Sequence, residues 1–158
     1  MRLRAFALGA GRKGGPALHL GAVADNRLLL AAAPQLSQLV TGGGCWERWV
    51  WTVAPGAGYD QHPVRRPRTP WPDTVDPEAF AAQCFVRAER QTFFPLAPGQ
   101  AVFAIRVLLQ PLRQAAADPG DAMHLHEALA SMSEAVLAYK GLAPARDRLL
   151  SWLAGRAA

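Results

Sequence analysis

The chain has 158 residues, 51% hydrophobic and 18% charged, a balance that calls for a packed core and excludes wholesale disorder. Lys and Arg number 17 against 12 Asp and Glu, but only Lys13 and Lys140 are lysines. An arginine bias in a chain rich in Ala, Gly and Pro reads as genome composition, so the net charge of +5 is discounted as a sign of nucleic-acid binding.

No apolar run approaches the ~20 residues of a membrane span, and the stretch from Ala5 to Ala10 is too short for a secretory signal. Cys45 and Cys84 alone cannot hold an iron–sulfur cluster or a four-cysteine zinc site, and they make no disulfide scaffold. A single cytoplasmic domain over residues 1–158 is expected.

Residues 3–8 alternate weakly and read as a strand, Gly9 to Pro16 as a loop, and residues 17–23 as a short strand. Residues 26–40 read as a helix capped by Asp25 or Asn26, with a kink or split at Pro34 and an end at Gly42, Gly43 and Gly44. Residues 46–53 are aromatic and β-branched, which favours a strand. Residues 54–75 hold Gly56, Gly58, Pro63, Pro67, Pro70 and Pro72 and form a long irregular connection. Asp76, Pro77 and Glu78 open a short helix.

Two strands follow, about 84–94 and 101–109, joined by a turn over Pro95 to Gln100. Setting Phe94 opposite Ala101 places Glu89 opposite Arg106 as an ion pair. The second strand is otherwise continuously apolar, so both of its faces should be covered. A long helix over about 121–139 carries Leu125, Leu129, Met132, Val136 and Tyr139 as one stripe and ends at Gly141. A last helix over about 144–154 has Leu149, Leu150, Trp152 and Leu153 to bury. The order of elements reads as α+β with an antiparallel sheet.

Gly9, Gly11 and Gly14 match a dinucleotide-binding glycine pattern, but Gly15 and Pro16 follow where a helix must open, so a plain loop is favoured. His124 and His126 are two apart on a helix and point to different faces; they read as a solvated face. His62 lies alone in the proline-rich loop, and His19 sits between Leu18 and Leu20 in a strand-like stretch. Arg65, Arg66 and Arg68 lie beside Trp71 and read as a solvated loop or a docking site for an acidic protein. Trp46 takes one face of its strand and Trp49 with Trp51 the other, as core or as the wall of a pocket for a flat cofactor or a methylated cation. No nucleophilic triad is legible.

The run Arg87, Ala88, Glu89, Arg90, Gln91, Thr92, then Leu96 and Ala97, then Phe103, Ala104, Ile105, Arg106, resembles the R-x-E-R-Q-T … L-P … F-x-I-R signature of the haem-dependent oxidative N-demethylase alpha-subunit-like proteins. Glu47 to Trp51 resembles that family's E-R-x-N-W stretch, with Val50 for the asparagine, and Tyr139, Lys140 and Gly141 its Y-K-G. The resemblance covers the family's C-terminal half only, as in a truncated or reduced domain.

It implies a PAS-like antiparallel sheet flanked by helices, haem b as cofactor, and oxidative removal of a methyl group from a small amine with release of formaldehyde. It further implies electrons from a flavin and iron–sulfur reductase subunit or domain, with no cluster or zinc site in this chain. His19 is then the candidate iron ligand. Arg87, Arg90, Arg106, Trp49 and Trp51 are candidates for holding the cofactor, and Glu89 and Arg90 for the chemistry. The second reading is a non-enzymatic PAS-like binding or protein-interaction module.

Overall fold

The computed structural model describes residues 3–9, 31, 33–61 and 67–158. Four strands form one sheet in the order β1-β4-β3-β2, with β1 at Leu3–Gly9, β2 at Trp46–Pro55, β3 at Cys84–Ala97 and β4 at Gln100–Pro111. The helices are α1 (Ala33–Thr41), α2 (Pro77–Ala82), α3 (Leu112–Ala115), α4 (Pro119–Ala130), α5 (Glu134–Lys140) and α6 (Arg146–Ala157), with a 3-10 turn at Ala143–Ala145. The class is α+β with an antiparallel sheet, as the order of elements predicts. The strand-like stretch 17–23, the glycine loop after Gly9, His19, His62, Arg65 and Arg66 lie outside the described residues.

The chain divides into two compact units. The first is Met1–Val50 with Glu89–Leu108. Here β1 pairs antiparallel with β4, from Leu3 against Arg106 to Gly9 against Gln100. The hairpin of β3 and β4 turns at Pro98 and Gly99, where Gly99 has φ 74, a left-handed conformation that glycine adopts without a Cβ penalty. Phe93 and Phe103 stack at 4.5 Å between ring centroids, which requires them to share a sheet face.

That stacking overturns the expected register. A slip of one residue moves every side chain to the other face. By alternation from the stacked pair, Glu89 lies on the Phe93 face and Arg106 on the opposite one, the face of Arg90. The expectation that both faces of β4 are covered also fails, because Arg106 and Leu108 are exposed. Ala101 is the unit's fully buried apolar residue among those described.

The second unit is Trp51–Ala88 with Leu109–Ala158. Its core gathers Val53, Phe80, Cys84, Leu112, Leu129, Leu137, Leu149, Trp152 and Leu153 with several alanines. Fully burying a side chain such as Phe80 or Leu149 contributes roughly 1.5–3 kcal/mol. Asp76 caps α2 by accepting from the amides of Glu78 and Ala79, with Pro77 in the first turn.

The single helix expected over 121–139 is two. Asp118 caps α4, and α4 stops at Ser131. Ser133 then caps α5, its Oγ accepting from Val136 N at 3.3 Å. Ser131 Oγ donates back to Ala128 O at 2.9 Å, so each serine offers the backbone an alternative to continued helix. The break re-phases the stripe, so Leu137 is buried and Tyr139 half-exposed.

Within this unit the proline-rich connection is tied down by side chains. Arg87 Nη1 donates to Tyr59 O at 3.1 Å, and Trp71 Nε1 to Gly141 O at 3.0 Å. Arg148 donates to Pro72 O at 2.8 Å and to Thr74 O, while its guanidinium sits 3.9 Å over the Phe80 ring.

Candidate functional site

In the first unit the signature residues of β2 and β3 interlock. Arg48 Nε donates to Gln91 Oε1 at 2.7 Å, and Gln91 Nε2 donates on to Glu89 Oε2 at 3.0 Å. Gln91 is buried, so this chain satisfies an amide that would otherwise cost about 1–3 kcal/mol. On the other face Arg90 Nε pairs with Glu47 Oε2 at 2.5 Å, both partly exposed, a pair worth at most ~1 kcal/mol. Trp49 shares that face by alternation and is 57% exposed.

In the second unit the Tyr139-Lys140-Gly141 segment meets β2. Lys140 Nζ donates to Trp51 O at 2.8 Å, and Gly141 ends α5 at φ 70. Trp51, Val86 and Leu125 floor an open cleft of about 470 Å³, and Gln110, Asp121 and His124 stand at its rim. That volume lies in the ~300–1,000 Å³ range of small-molecule sites. Asp121 and His124 are one turn apart on α4 and so neighbour each other on its surface. A second cleft of about 650 Å³ lies between the proline-rich connection and the end of α2, lined by Pro55, Trp71, Ala82 and Phe85.

A family model described as haem-dependent oxidative N-demethylase, alpha subunit-like, matches residues 35–150. The chain belongs to that family. No curated protein matches it. The segments carrying this N-demethylase alpha-subunit-like resemblance are thus the ones tied together by side-chain hydrogen bonds: Glu47 and Arg48 with Glu89 to Gln91 in one unit, Trp51 with Lys140 in the other.

The cleft over Trp51 does not by itself fit haem. The cleft over Trp51 offers one imidazole, His124, but Asp121 is the charged group among its lining residues, and no arginine or lysine is there to meet two propionates. Arg87 is buried and donates to backbone carbonyls, and Arg90 is paired with Glu47. The described residues of the first unit include no histidine, and His19 lies outside them. Trp51 and Asp121 bring an aromatic residue and a carboxylate to the same cleft.

The sequence leaves Trp51 as core or as a pocket wall; in the structure it packs partly buried against the core cluster and also lines the cleft. Sequence reasoning missed His124 and Asp121 as rim residues. Both lie on the polar side of α4, and only their i, i+3 spacing connects them in sequence.

Proposed function

We propose that the chain is the haem-associated alpha-subunit-like domain of an oxidative N-demethylase system, acting in the cytoplasm on a small methylated amine with a flavin and iron–sulfur reductase as electron source. The observation that carries this reading is the cleft over Trp51. Trp51, whose carbonyl accepts from Lys140 of a second family-resembling segment, lines it, and its aromatic-plus-carboxylate lining matches a methylammonium group. In this reading Trp51 and Asp121 orient the amine, and His19 is the iron ligand. Haem, when bound, supplies the activation of dioxygen. The antiparallel sheet with helices packed on Val53 and Cys84 supports a PAS-like assignment.

The test is a haem titration of the purified chain followed by Soret absorption, then formaldehyde release from methylated amines with a reductase present. Saturable uptake lost in His19→Ala is expected. Trp51→Ala and Asp121→Asn should raise KM for the amine while leaving the Soret band in place. A folded protein that takes up no haem and releases no formaldehyde would leave the non-enzymatic interaction module. The internal engagement of Arg87 and Arg90 favours that second reading, because it makes the signature architecture.

A further inference from the structure

Among the described residues one face of the first unit's sheet is exposed, and the chemistry of that face is specific. Of eleven exposed large hydrophobic side chains among the described residues, seven belong to this unit. Trp49 is 57% exposed, Phe94 43%, Leu96 67% and Leu108 37%, and alternation along β2, β3 and β4 puts all four on the face that carries Arg90 and Arg106. The Phe93–Phe103 stack puts Arg106 and Arg90 on one face of β3 and β4. Like charges on one face of neighbouring strands repel. Among the described residues one carboxylate, Glu47, answers the two guanidiniums, and it is engaged by Arg90. The face is therefore apolar with a cationic centre short of one negative charge.

We infer that this face docks an acidic, apolar segment of another protein, whose carboxylate pairs with Arg106 while its apolar side chains cover Trp49, Phe94 and Leu108. A second copy of the chain is a poor occupant, since the chain carries a net +5 and would bring its own Arg90 and Arg106 to the contact. A small molecule is a poor occupant too, because both clefts described above are lined by the other unit's residues. Apolar area flanked by a complementary charge is what protein partners use for affinity and register.

The test uses the full chain and three labelled peptides read by fluorescence anisotropy at physiological salt: one alternating Leu and Glu, one with Ser for each Leu, and one with Lys for each Glu. The Leu/Glu peptide should bind, and each control should bind at least about tenfold more weakly. Arg106→Glu should weaken the Leu/Glu peptide about tenfold and strengthen the Leu/Lys one, and Trp49→Ser should weaken both. Both side chains are exposed, and circular dichroism checks that each variant folds. Failure of the Leu/Glu peptide to bind, equal binding of all three peptides, or indifference to both substitutions overturns the assignment. So does sedimentation velocity showing a dimer that Arg106→Glu dissolves, or complete displacement of the peptide by free succinate. A haem titration of the parent chain reads the cofactor proposal separately, because the peptides score the docking face whether or not haem is taken up.

Discussion

The two cysteines differ in what surrounds them, and the difference sets their chemistry. Cys45 is exposed just before β2, whereas Cys84 is fully buried at the start of β3, its Sγ donating to Phe80 O at 3.2 Å. Burial pushes the Cys84 thiol from 9.0 up to about 11, with Arg148 pulling weakly the other way. At neutral pH Cys84 is a protonated thiol and a poor nucleophile. Iodoacetamide should therefore label one cysteine in the native chain and two in denaturant, and two rapid native labels would contradict the burial. The linkage has a definite sign. The unfolded thiol ionises near 9 and the folded one near 11, so its contribution to stability is complete below pH 9 and is lost as the pH climbs toward 11. Thermal melts across that window should fall more steeply for the parent chain than for Cys84→Ala.

At the scale of elements, the helix and strand signals that rest on local chemistry are legible in the sequence. Asp76 followed by Pro77 starts α2, Gly141 ends α5, and Leu149, Trp152 and Leu153 pack one side of α6. What was not legible is pairing. Nothing in residues 84–109 distinguishes Phe94 opposite Ala101 from the alignment one residue away; only the Phe93–Phe103 contact decides it, and that contact is non-local. The Ser131–Ser133 break was missed for a related reason: the apolar stripe of 121–139 is compatible with one helix, and two serines are a weaker signal than a glycine or proline.

Gly141 offers the sharper test at this scale. Its φ of 70 is left-handed, and a Cβ there would stand 3.0 Å from Arg68 Nη1. Gly141→Ala should cost about 1–2 kcal/mol, mainly from the backbone, a fall in Tm of roughly 2–8 °C. Glycine at this C-cap also keeps its carbonyl aimed at Trp71 Nε1, so the loss should appear in the fluorescence of the native state as well as in the melt.

Over the whole molecule, stability is distributed as unevenly as the buried apolar side chains. Fourteen buried residues form the core of the second unit. Among the described residues the first unit fully buries Ala101 and the amide of Gln91, and holds its strands with the Arg48–Gln91–Glu89 chain and the Arg90–Glu47 pair. Ion pairs and side-chain amides on an open sheet contribute little beside a closed apolar core. Candidate sites follow the same division: the cleft over Trp51, a residue the sequence leaves as core or pocket wall, belongs to the well-packed unit, and the apolar cationic face, which only the Phe93–Phe103 contact reveals, belongs to the other.

Native-state hydrogen exchange should reveal the gradient. Amides of α6 and of β3 from Cys84 to Ala88 should exchange only through global opening. Those of β2 from Trp46 to Val50 and of β3 from Arg90 to Ala97 should exchange by local opening at least about tenfold faster. Substituting Gln91→Leu, which breaks the Arg48–Gln91–Glu89 chain, should speed exchange in the second group and leave α6 unchanged. Uniform protection across both groups would mean that the open face is covered in solution, as a tightly held partner would cover it.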